Sequence, residues 1–119
     1  MSRILAVDDS PSMRQLVKLT LEECGHEVLI ADGGHEGLAI LAKEKVDLIV
    51  TDVNMPKMNG IEFIKALRAA GVRFTPVLVL TTEAGQALKD AAKSAGAAGW
   101  LVKPFQAANF LATVKKVLP

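Results

Sequence analysis

The sequence predicts an open, doubly wound α/β sandwich, in which one five-stranded parallel sheet is flanked by five helices. Three observations carry this. Five short apolar runs, rich in β-branched residues and leucine, recur along the chain, segments with helical spacing lie between them, and glycines punctuate the ends of those segments. A sheet of this class takes the order 2-1-3-4-5.

Taken in order, the strands are expected at Ile4 to Val7, Val28 to Ala31, Leu48 to Thr51, Val77 to Thr81 and Trp100 to Val102. Runs this short and this apolar read as buried strands. The first helix is expected through Met13, Leu16, Val17, Thr20 and Leu21, with Pro11 at a first helical position. The second and third are expected around Leu38 and Leu41 and around Ile61, Ile64 and Leu67. The fourth runs through Ala84, Ala87, Leu88, Ala91, Ala92 and Ala95, and the fifth through Phe110, Leu111, Val114, Val117 and Leu118. Gly25, Gly71 and Gly96 stand where a left-handed residue can close a helix. Gly33-Gly34 reads as a turn, since neither G-x-x-x-x-G-K nor G-x-G-x-x-G follows the first strand.

At 119 residues the chain is long enough to enclose one hydrophobic core, so a single domain is expected. Hydrophobic residues make up 50% and charged residues 23%, a globular balance. Fourteen basic against 13 acidic residues leave a net charge of +1, which argues against nucleic acid or a membrane surface as a partner. The lone Cys24 cannot form an internal disulfide, no apolar run approaches the roughly 20 residues that cross a bilayer, and Asp8 and Asp9 cut short any signal-peptide core. A cytoplasmic location is expected. Cys24, His26 and His35 lack the paired spacing of a zinc site.

Doubly wound sheets bind ligands outside the carboxyl ends of their strands. After strand one come Asp8 and Asp9, after strand three Asp52, after strand four Thr81 and Thr82, and after strand five Lys103. Carboxylates about 5 Å apart repel by roughly 3 kcal/mol per pair at an effective dielectric of 20, so a cation is expected among them. Three carboxylates and one lysine leave a deficit that a divalent ion would cancel, and oxygen-only ligands suit Mg²⁺. One carboxylate beside such an ion can act as a nucleophile toward phosphorus, with an ammonium neutralising charge on the transferring oxygens. Each residue taken alone has a plainer explanation. Asp9-Ser10-Pro11 could be a helix cap, residues 51–56 a polar turn, Lys103-Pro104 a surface loop and Thr81 a strand end. Their placement on four strand ends of one rim is what argues for a shared site.

These residues resemble a known family. Residues 4–10 (Ile-Leu-Ala-Val-Asp-Asp-Ser), residues 51–56 (Thr-Asp-Val-Asn-Met-Pro) with Gly60, the Thr81-Thr82 pair and Lys103-Pro104-Phe105 together resemble the receiver domains of two-component response regulators, which have a flavodoxin-like fold. The likeness covers essentially the whole chain and is greatest to stand-alone chemotaxis regulators. It implies one receiver domain over residues 1–119, with no output domain. It implies that Asp52 is the phosphoacceptor, that Asp9 binds Mg²⁺ directly, Asp8 largely through water and Asn54 through its backbone carbonyl, and that Thr81 and Lys103 bind phosphoryl oxygens. The Lys103-Pro104 bond is expected to be cis. Asn54 and Glu83 occupy the positions that tune phosphoryl lifetime, and Thr81 and Trp100 those of the switch.

The chain departs from the family pattern at three points. Trp100 stands where Tyr or Phe is usual, and its indole is larger and donates only through nitrogen. Thr82 replaces a usual alanine, and Gln106 replaces a better helix cap.

The resemblance further implies a histidine kinase as phosphodonor and a downstream protein such as a flagellar motor switch or phosphotransfer protein, with a phosphatase as a further partner. A monomer is expected, one that is no enzyme beyond catalysing its own phosphorylation and dephosphorylation. Three other readings stand beside this one: a phosphorelay shuttle or phosphate sink, a receiver-like scaffold that takes no phosphate, and a Mg²⁺-dependent small-molecule phosphatase. The last is disfavoured by Asn54, which stands where such phosphatases often carry a second acid.

Overall fold

The structure, a computed structural model, describes residues 2–82 and 85–118. Its elements alternate as β1 (Arg3–Val7), α1 (Pro11–Glu22), β2 (Glu27–Ala31), α2 (Gly34–Leu41), β3 (Leu48–Thr51), α3 (Gly60–Ala69), β4 (Val77–Thr81), α4 (Gln86–Ala95), β5 (Gly99–Val102) and α5 (Ala107–Val117). The strands form one sheet in the order β2-β1-β3-β4-β5. All pairings are parallel, with Leu5 opposite both Leu29 and Ile49, and Val79 opposite Trp100. The order reverses between β1 and β3, so the carboxyl ends of these two strands flank the crevice in which such sheets bind ligands.

Alternation along the strands divides the apolar side chains between two cores. Leu5, Val7, Ile49, Val77 and Val79 face Phe63, Ile64 and Leu67 of α3 and Ala92 of α4. Ile4, Ala6, Leu48, Val50, Leu78 and Leu80 face Val17 and Leu21 of α1 and Phe110 and Val114 of α5. Burying each such large side chain contributes about 1.5–3 kcal/mol, which is what holds helices on both faces.

Local sequence sets the helix ends. Ser10 caps α1 by accepting from the Met13 N–H at 3.3 Å, with Pro11 in the first turn. Asn59 and Glu62 form a reciprocal capping box on α3, both bonds 2.9 Å. Gly25, Gly71 and Gly96 have φ of 87°, 101° and 111°, the left-handed closures expected of them. Gln106 precedes α5 without a side-chain capping bond, consistent with its being a poor cap.

Some expectations need correction. Gly33 and Gly34 are not a free turn but the cap and first residue of α2. Leu16 is 50% exposed, so the buried stripe of α1 is narrower than its spacing suggests, and Ala87 and Ala91 of α4 also face outward. β5 is an edge strand, half-buried rather than buried. Ala84, expected in the fourth helix, lies outside the described residues. Among the described residues no helix is long and apolar enough to cross a membrane.

Candidate phosphoacceptor and metal site

β1 ends at Val7 and β3 at Thr51, so Asp8, Asp9 and Asp52 follow directly on adjacent strands. One carboxylate oxygen from each lies within 4.8 Å of the others. Asp8 and Asp52 are buried, whereas Asp9 is exposed at the mouth. Lys103, just past β5, reaches across the rim, and its ammonium donates to Asp8 Oδ2 at 2.9 Å and Asp52 Oδ2 at 3.0 Å. Its backbone N–H donates to the Thr81 carbonyl at 2.8 Å, joining the ends of β4 and β5, and the Lys103-Pro104 bond is cis.

Backbone N–H groups hold the other oxygen of each buried acid. Asp52 Oδ1 accepts from the Val53 N–H at 2.7 Å and from the Asn54 N–H at 3.4 Å. Asp8 Oδ1 accepts from the Ser10 N–H at 2.9 Å. Burial acts to lower the Lys103 pKa, but the hydrogen bonds and charges of Asp8 and Asp52 together outweigh it and raise the pKa above the ordinary lysine value. The result is a lysine held cationic between two acids, with a third acid facing solvent.

This donor set fits a hard divalent cation. It offers oxygen only, from three carboxylates, and among the described residues no cysteine or histidine joins it. The solvent-facing Asp9 leaves room for the waters that Mg²⁺ retains.

Thr81 is fully buried at the end of β4, and Asn54 is exposed in the loop after Asp52. Trp100 stands apart, packed on the α3–α4 side of the sheet against a cavity of about 290 Å³ lined also by Gln86, Lys89, Asp90 and Lys93. Its buried indole N–H has no hydrogen-bond partner among the described residues. Glu83 lies outside the described residues.

Sequence reasoning missed Arg14. From the first turns of α1 its guanidinium donates to the Asp8 carbonyl at 2.7 Å, pinning the loop that carries both acids. The only signal was a basic residue shortly after an acidic pair, too common a pattern to single out.

Residues 4–115 match the family model for the response regulator receiver domain, so the chain belongs to that family of two-component signalling modules. The chain is 43% identical over 106 residues to the "Chemotaxis protein CheY homolog" of Campylobacter jejuni, covering 87% of this chain and 82% of that protein. It is 38% identical over 115 residues to the "Sensory/regulatory protein RpfC" of Xanthomonas campestris, covering 94% of this chain but only 16% of RpfC. Among solved structures it is similar to the Vibrio cholerae chemotaxis protein CheY4, with a TM-score of 0.96, 50% identity and 99% of each chain covered.

Proposed function

We propose that this chain is the phosphorylatable switch of a two-component pathway, of the single-domain chemotaxis type, and that Asp52 accepts a phosphoryl group from the phosphohistidine of a kinase. The observation that carries the reading is the double hydrogen bond from Lys103 to Asp8 and Asp52 beside a third acid. It gives a nucleophilic carboxylate a cationic neighbour within hydrogen-bond reach, the arrangement that phosphoryl transfer requires.

An Asp52 carboxylate oxygen attacks phosphorus while the phosphorus–nitrogen bond of the donor breaks and the departing ring takes up a proton from solvent, leaving an acyl phosphate on Asp52 and a neutral imidazole on the kinase. Lys103 holds charge against the transferred oxygens, and Thr81 offers its hydroxyl to another. Asp8, Asp9, Asp52 and the Asn54 carbonyl would hold Mg²⁺, which when bound supplies further neutralisation of the phosphoryl oxygens.

Output is docking. Inward movement of Thr81 toward the new oxygens lets Trp100 follow, and the α4-β5-α5 face changes its affinity for a protein partner such as a motor switch component. In this reading the chain works in the cytoplasm as a monomer and modifies only itself. Asn54 and Glu83 set the phosphoryl lifetime.

Phosphotransfer tests this reading. A labelled histidine kinase from the same cell is expected to pass its label to the chain only with Mg²⁺, and capture with a stable phosphoryl mimic is expected to enrich a partner that the unmodified chain does not. If label passes onward to a histidine phosphotransfer protein instead, the relay reading replaces the motor-binding one.

A further inference from the structure

Gly60 opens α3 and is buried directly behind the acceptor. A side-chain carbon built there would overlap the Asp52 carbonyl oxygen and stand 2.9 Å from Val53 Cα and 3.0 Å from the Asp52 carbonyl carbon. The obstacle is backbone, so no rotamer change relieves it. Gly60 is not among the glycines with positive φ, so space rather than backbone conformation demands the glycine. Its N–H also donates to the Val53 carbonyl at 2.8 Å, and the capping box beside it fixes where the helix begins.

The same Asp52 carbonyl is held from another side by the buried Thr51 hydroxyl, which donates to it at 2.9 Å, while the Asp52 N–H donates to Val7 at 3.1 Å. The Asp52 main chain is therefore held by the strand through its N–H and by the Thr51 hydroxyl through its carbonyl, with the start of α3 closing the space beside the Asp52–Val53 peptide. That peptide also supplies the Val53 N–H that orients Asp52 Oδ1.

We propose that Gly60 and Thr51 are positioning residues for the phosphoacceptor, the seat against which the Asp52 main chain is set so that its carboxylate meets Lys103 and the metal ligands. The inference rests on Asp52 being the acceptor. Pushing this peptide outward moves the carboxylate relative to Lys103, and misplacement of a reacting group by about 1 Å can cost on the order of 100-fold in rate.

The test compares labelling by acetyl phosphate at saturating donor and Mg²⁺ for wild type, Gly60→Ala, Thr51→Val and Gly71→Ala. Gly71→Ala is the control for lost stability. It follows the far end of α3 at φ of 101°, and a side-chain carbon built there would meet nothing within 4 Å, so alanine strains the backbone away from the site without a clash. Gly60→Ala is expected to lose at least about tenfold in the saturated rate, Thr51→Val several-fold, and Gly71→Ala to melt lower while labelling at the wild-type rate. Folded Gly60→Ala that labels within about twofold of wild type overturns the proposal, and if Gly60→Ala does not fold, Thr51→Val at the wild-type rate does so. An unlabelled wild type would instead refute the acceptor assignment itself.

Discussion

The ammonium of Lys103 and Oδ2 of Asp52, 51 positions apart in the chain, stand 3.0 Å apart at the rim of the sheet. That contact, shared with Asp8, joins the ends of β1, β3 and β5 into one electrostatic unit. If Asp52 takes a phosphoryl group as proposed, the lysine already stands within hydrogen-bond reach of the accepting carboxylate.

The first prediction concerns alkali. Burial opposes the Lys103 charge, but its bonds and charge interactions with Asp8 and Asp52 raise its pKa in the fold above 10.5, the ordinary lysine value. A raised pKa contributes stability that is fully present below the unfolded value and disappears as pH climbs through the folded one. Wild type in chelator is therefore expected to lose stability above about pH 10.5. The chain has no tyrosine to confuse that titration. Lys103→Met should start lower, by about 3 kcal/mol in urea unfolding at neutral pH, and should show a shallower alkaline loss. Parallel profiles for the two proteins would contradict the account.

The second concerns the acids. Asp9 is exposed and lies within 4.8 Å of the other two carboxylates. Replacing it by asparagine removes repulsion, so Asp9→Asn in chelator is expected to be more stable than wild type by about 1 kcal/mol. Wild type should gain melting temperature on adding Mg²⁺ through binding to the folded state, and Asp9→Asn should gain little. Equal gains in both proteins would count against Asp9 as a ligand.

The third concerns the switch. The buried Trp100 N–H without a partner among the described residues carries a cost of about 1–3 kcal/mol, while the indole contributes burial. Trp100→Phe removes the unpaired donor and some area together, so urea unfolding is expected to give a stability within about 1 kcal/mol of wild type. Trp100 is also the sole tryptophan, so Mg²⁺ with acetyl phosphate should change the fluorescence of the wild-type protein. An unchanged spectrum despite confirmed labelling would remove Trp100 from the mechanism.

Much of this was legible in the sequence because period and punctuation are local properties. The apolar runs ending at Val7, Thr51 and Thr81 marked three strand ends, and the rule that parallel sheets present their carboxyl ends to ligands placed Asp8, Asp9 and Asp52 on one rim. What could not be read was set by depth and by main-chain approach. Helical spacing puts Leu16 with Met13 and Val17, but only the docked helix shows that the buried stripe stops short of it. The Arg14 bond to the Asp8 carbonyl and the fit of Gly60 against Asp52 involve backbone atoms, which carry no side-chain signature.

The fourth prediction is the most direct test of the central claim, that Asp52 receives phosphorus. Wild type and Asp52→Asn are incubated with acetyl phosphate and Mg²⁺, and their intact masses are measured. Wild type is expected to gain the mass of one phosphoryl group, and none with chelator, while Asp52→Asn gains nothing. A wild type that stays unmodified, or an asparagine variant labelled as fully as wild type, would contradict it.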